Sequence, residues 1–199
     1  DLIDISENGM PEHFASALSA AAHDPGIDGV LVMLSPKPGI DMTAVAQAVA
    51  TTRKECHKPL IACVMGDTSV QQARTLLAEA LRAEDGFAPM TPLLQGVLTE
   101  LGGVEGVISF GLHAPPAEFG RFAPRIVAGD DPAAARIFGA AVAQVGGMID
   151  TLQQGRDLPV IFLGGLGGHY AKRLAGLWDI RAPLGSGLDG ALFLARQGA

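Results

Sequence analysis

The sequence predicts an α/β fold, a mostly parallel sheet flanked by helices, with a helical insertion near residues 90–150. Three observations predict it. The segments Gly29-Val30-Leu31-Val32-Met33-Leu34 and Pro59-Leu60-Ile61-Ala62-Cys63-Val64 are continuous apolar runs. Strands of a parallel sheet covered on both faces read this way, without the alternation of a half-exposed strand. Strand and helix signals alternate through short loops over the first eighty residues, which implies parallel strands with right-handed crossovers. Finally, Pro159-Val160-Ile161-Phe162 empties into Leu163-Gly164-Gly165-Leu166-Gly167-Gly168 and then into the amphipathic stretch Tyr170 to Leu177. A strand that ends in glycines before a helix start brings bare backbone to the carboxyl end of a sheet, a common place for nucleotides.

The elements follow in order. Leu2 to Ile5 reads as a short strand. Pro11 to Ala22 carries Phe14, Ala17, Leu18 and Ala21 at helical spacing, with Pro11 suited to a first turn and Asp24-Pro25-Gly26 as a stop. After the strand Gly29 to Leu34 and the loop Ser35 to Gly39, Asp41 fits the N-cap of a helix reaching about Lys54. The strand Pro59 to Val64 leads through Gly66-Asp67-Thr68-Ser69 into a helix from Val70 to about Ala83. From Thr91 to Ile149 the pattern is mostly helical, broken at Gly102-Gly103, Pro115-Pro116 and Gly129-Asp130-Asp131-Pro132. Pro132 to Leu152 is long and rich in Ala. The end returns to strand (Val160 to Leu163), helix (near His169 to Leu177), a short extended piece (Asp179 to Ala182), the turn Gly185-Ser186-Gly187 and a final helix (Leu188 to Gln197).

Composition limits the functions open to the chain. Hydrophobic residues make up 48% of it and charged residues 18%, a folding composition. The net charge is −7, with no basic block and one Trp and one Tyr, which argues against nucleic acid as a partner. No apolar run approaches the ~20 residues of a membrane span. Asp1-Leu2-Ile3-Asp4 lacks the positive start and apolar core of a signal peptide, and the start without Met suggests an excised or processed piece. Cys56 and Cys63 fit neither a disulfide framework nor a zinc spacing, and read as buried reduced thiols. A cytoplasmic chain that takes a small molecule and no membrane is the expectation.

Two resemblances divide the chain. Asp1-Leu2-Ile3-Asp4-Ile5, Asp24 to Val32, Lys58-Pro59-Leu60-Ile61-Ala62 and Met65-Gly66 give residues 1–80 a pattern that resembles the flavodoxin-like ligase domain of ADP-forming acyl-CoA synthetases, including succinyl-CoA synthetase. That family's phosphorylated histidine lies in another domain, so His13, His23 and His57 inherit no role. Residues 81–199 resemble the C-terminal part of bacterial glucosamine and N-acetylglucosamine kinases, of the BadF/BadG-type ATPases. The match runs through Ala80 to Gly86, Phe122-Ala123-Pro124, Gly129 to Ala134, Leu163-Gly164-Gly165-Leu166 and Gly185 to Ala191. This resemblance implies a partial RNase H-like half, of the sugar kinase, actin and Hsp70 type, and the ligand ATP with Mg²⁺. The first implies CoA or a nucleotide-binding partner. Such kinases need an Asp-Gly-Gly-Gly-Thr-type phosphate loop and a catalytic aspartate, and this sequence holds neither. The expectation is a chimera joined inside the helix Val70 to Ala83, each half superposing on a different parent, without turnover as an amino-sugar kinase.

The cofactor-binding candidates are Gly164, Gly165, Gly167, Gly168 and His169, placed beside adenine and ribose by the kinase resemblance. Their other reading is a tight strand-to-helix turn. The run is neither a dinucleotide fingerprint nor a P-loop, since no Gly-Lys-Ser or Gly-Lys-Thr follows it. Ser186 with Asp189 and Asp130 with Asp131 read as helix caps. No catalytic set and no metal-ligand spacing is legible.

Overall fold

A computed structural model describes residues 3–5, 9–34, 40–64 and 68–197. It is a mixture of helix and small parallel sheets, and it divides into two compact units, Asp1–Gln154 and Gly155–Ala199. The predicted segment border near residue 80 falls inside the first unit.

In the larger unit, α1 (Pro11–His23) leads to β1 (Val30–Leu34), α2 (Met42–Thr52), β2 (Leu60–Val64) and α3 (Thr68–Glu84). Each begins or ends for a local reason. Pro11 opens α1. The Asp41 carboxylate accepts from Thr43 N at 2.9 Å and Ala44 N at 3.2 Å, capping α2. Gly86 stops α3 at φ +78°, where Phe87 N donates to Arg82 O at 2.8 Å and Gly86 N to Ala83 O at 3.1 Å. This is the two-bond glycine stop that satisfies the last carbonyls of a helix.

The strands pair in parallel, Val30 with Leu60 through Leu34 with Val64. One face supplies Leu34 to a core with Leu18, Met42, Val45, Val49, Cys56 and Met148. The other face is open: Leu31 is 59% exposed, Met33 50% and Ile61 67%. The expected sheet covered on both faces is therefore absent among the described residues, and the parallel order is present. Of the predicted strand Leu2 to Ile5, residues 3–5 are described and form no strand. An apolar run becomes a strand only when a ladder partner satisfies its amides, and among the described residues β1 pairs with β2 alone.

Five helices follow: α4 (Pro92–Leu101), α5 (Gly103–His113), α6 (Pro116–Phe119), α7 (Ala123–Ala128) and α8 (Pro132–Gln153). The predicted breaks coincide with their ends. Gly102 and Gly103 have φ +85° and +86°, and Gly129 has φ +72°. Phe119, Phe122, Leu94, Val97, Val107 and Ile126 are fully buried. α3 packs on α4 to α8, while α8 also packs on α2, so segments on both sides of residue 80 share one interior. By length and composition α8 could cross a membrane, with mean hydropathy 1.2. This differs from the expectation of no apolar run near that length: Arg136, Gln144 and Asp150 break the run, while the helix as a whole stays apolar. Its Ala133, Ala134, Ile137, Phe138, Ala141 and Met148 are buried, which accounts for the apolar face by packing.

In the smaller unit, β3 (Val160–Ile161) pairs in parallel with β4 (Ile180–Arg181), and α9 (Gly167–Arg173) connects them. The last element is α10 (Gly187–Gln197). The predicted strand to Leu163 is thus two residues shorter. The predicted helix near His169 to Leu177 starts at Gly167 and ends at Arg173, with Gly176 at φ +85° just beyond.

Candidate functional site

The glycine run forms a turn between β3 and α9, and its glycines divide into two kinds. Gly164 has φ +83°, a backbone conformation that L side chains rarely take. A Cβ on Gly167 would sit 3.1 Å from the Phe162 carbonyl carbon, so this buried glycine lets α9 approach the strand. Gly165 and Gly168 need no such explanation. Both are exposed, neither has a positive φ, and a Cβ on either would meet nothing within 4 Å. Their bareness is not required by the turn.

Beneath the turn, the Phe162 and Tyr170 rings stack with centroids 6.2 Å apart and planes 13° apart. Tyr170 is 5% exposed and Leu174 4%, and together they anchor α9. Two early amides are already used: Gly167 N donates to Gly164 O at 3.0 Å and His169 N to Leu166 O at 3.0 Å. Leu166 at the N-cap contributes no side-chain acceptor. A seven-residue helix with these amides engaged is a weak cradle for phosphate, whereas the outer surface of Gly165, Gly168 and His169 is exposed and can meet a flat ring. The five sequence candidates therefore lie on one turn, with Gly167 packed inward and the other four outward.

The remaining candidates are structural. Ser186 N donates to Asp189 Oδ2 at 2.6 Å, Ser186 Oγ donates to the same oxygen at 2.7 Å, and Asp189 N donates to Ser186 Oγ at 3.2 Å. This reciprocal cap holds the Asp189 carboxyl below the usual range, through the bonds from Ser186. Met10 N donates to His13 Nδ1 at 2.9 Å, His23 and His113 bond carbonyls one turn back, and His57 is exposed. Cys56 is buried and Cys63 partly buried, both as free thiols. The Gly66-Asp67 loop lies outside the described residues. Among the described residues no three His, Cys, Asp or Glu side chains converge on one point.

Two arrangements were not legible in the sequence. The Asp131 carboxylate caps α8 by accepting from Ala133 N at 2.8 Å and also accepts from Leu93 N at 3.0 Å in the first turn of α4. Only the first of these follows from the Asp-Asp-Pro spacing. Arg121 lies 4.8 Å over the Phe110 ring and 5.0 Å over Phe122, Arg125 lies 5.0 Å over Phe122, and both arginines pair with Glu100. Charge is also uneven: residues 155–199 hold five Lys or Arg against three Asp or Glu, although the whole chain is acidic.

Neither protein-family models, nor curated proteins, nor solved structures give a match to this chain.

Proposed function

We propose that the smaller unit offers a shelf for the adenosine part of ATP and that the chain carries out no phosphoryl transfer. The observation that carries this reading is the surplus bareness of Gly165 and Gly168, exposed glycines that neither φ nor packing demands. A helical Gly costs about 0.5–1 kcal/mol relative to Ala, and close approach of a ligand gives Gly168 a reason. The excess of basic residues in this unit suits a nucleotide, whose phosphates would carry their own Mg²⁺. Transfer would need the kinase-type phosphate loop and an aspartate placed to activate the acceptor hydroxyl, and neither motif is in the sequence. On this reading residues 81–199 derive from a glucosamine kinase-like, RNase H-like parent, residues 1–80 from a flavodoxin-like CoA-ligase parent, and the hybrid is cytoplasmic.

One observation favours a second reading, a CoA-ligase-type module that works against a partner. The uncovered face of Leu31, Met33 and Ile61 is the kind of apolar patch such a module would present.

Calorimetric titration with ATP-Mg²⁺ and with CoA, on the wild type and on Gly165→Val, tests both. The shelf requires saturable ATP binding that weakens at least about tenfold in the variant, with an unchanged circular dichroism spectrum because the new side chain meets no neighbour. Absence of ATP binding, or equal binding by both proteins, rejects it. A CoA signal that survives the substitution supports the second reading. Phosphorylation of glucosamine by the purified chain rejects the claim of no transfer.

A further inference from the structure

We infer that α10 is a self-association face, on which two copies of the chain pair their α10 helices antiparallel about a two-fold axis between Leu192 and Phe193. Leu188, Leu192 and Arg196 follow at i, i+4 and i+8, with Asp189 and Phe193 beside them at i and i+4, so the five share one side of the helix. Leu188 is 69% exposed, Leu192 48% and Phe193 60%. Three large apolar side chains on one uncovered stripe are unusual on a chain that stays single.

The charge pattern selects a second copy as the occupant. Antiparallel pairing centred between positions 192 and 193 sets each Leu192 against the Phe193 of the partner subunit. The same register sets Asp189 against the partner's Arg196, and the two-fold axis repeats that pair at the other end. An acid and a base seven residues apart, with the apolar pair midway, are self-complementary in this orientation only: parallel pairing sets each charge against its like. The bonds from Ser186 both fall on Asp189 Oδ2, so the carboxylate has a second oxygen to offer. Gly190, three residues before Phe193, would meet nothing within 4 Å if it carried a Cβ, and its smallness lets a second backbone come close. The exposed parts of the three side chains supply on the order of 300 Å² per copy, under the ~1,000 Å² total that a stable interface clears. The pairing is therefore weak, with a Kd of roughly micromolar order.

Sedimentation velocity of the full chain across a concentration series tests the inference. The wild type should pass from monomer to dimer, and raised salt should weaken the dimer. Phe193→Asp should weaken it by about a hundredfold, and Arg196→Asp by about tenfold. Leu177→Asp, at an exposed position of the same unit outside α10, should leave it unchanged. All three positions are exposed, so the variants keep the wild-type circular dichroism spectrum. Leu192→Cys should form an intermolecular disulfide under mild oxidation, above the level of the wild type. A monomer at every concentration overturns the inference. So does a dimer indifferent to Phe193→Asp, or a Leu192→Cys variant that cross-links no more than the wild type.

Discussion

The Asp131 carboxylate serves two helix starts, that of α8 through Ala133 and that of α4 through Leu93. Burial, the largest single influence, would raise its pKa. The hydrogen bonds from Leu93, Thr91, Ala133 and Ala134 together outweigh burial and lower it. A carboxyl lowered in the folded state stabilises the fold above its unfolded pKa of about 3.9 and loses that contribution as pH falls through the folded value. Asp131→Ala should therefore cost about 1–2 kcal/mol at neutral pH, and the gap to wild type should narrow steadily below about pH 4. Urea unfolding at pH 7 and at pH 3 checks this, and a gap independent of pH contradicts it. Gly106 makes a second prediction. A Cβ there would overlap the Leu101 carbonyl at the junction of α4 and α5, so Gly106→Ala should destabilise by about 1–3 kcal/mol, whereas Gly168→Ala should not. At this scale the caps at Asp41 and Asp131 were legible, because a short acid before a helical pattern has one local use, and so was the Ser186–Asp189 pair, a Ser three residues ahead of an acid. The second partner of Asp131 was not, since it lies 38 residues away.

Among the elements, helices were more legible than strands. The 3.6-residue period and the glycine and proline breaks located α1 to α5 and α8, and ran α6 and α7 together, because a helix satisfies its own amides. Strands depend on partners elsewhere, which is why residues 3–5, the described part of the predicted strand, form none and why β3 is shorter than its apolar run. The continuous apolar runs of β1 and β2 implied cover on both faces, and the described residues cover one. Lys58 shows what holds that one in place: its Nζ donates to the Ala21 carbonyl at 2.9 Å and to that of Asp24, tying the start of β2 to the end of α1. The two faces should respond oppositely to substitution. Leu34→Ala, in the core, should cost about 2–5 kcal/mol. Ile61→Thr, on the open face, should stay within about 1 kcal/mol. Denaturant melts of the two variants give the comparison, and a large loss at Ile61 would mean that this face is covered in solution.

At the scale of the molecule, each compact unit has its own balance of burial. The larger holds almost all of the buried apolar side chains, and the smaller holds Tyr170 and Leu174. Forty-odd residues around so few buried groups are marginal. Amides of residues 160–174 should therefore exchange with solvent well before those of α2, α3 and α8, and hydrogen exchange read by mass spectrometry would show it. Equal protection would contradict the division. The fold class was legible as alternating elements. The division at Gln154 was not, because no linker-like run of Pro, Gly or Ser marks it, and the shift in charge sign beyond it is small. The candidate site was legible as a glycine-rich turn, and only the structure separates the glycines that the turn needs from the two that it does not.

The central claim is that this turn meets a nucleoside by its bare surface and does not cradle phosphate. The most direct measurement is an amide chemical-shift titration of the ¹⁵N-labelled chain with adenosine and, separately, with tripolyphosphate. Saturable shifts are expected at Gly164, Gly165, Gly168 and His169 with adenosine, and none there with tripolyphosphate. Shifts at those amides with tripolyphosphate alone, or an adenosine response confined to residues outside the turn, would contradict it.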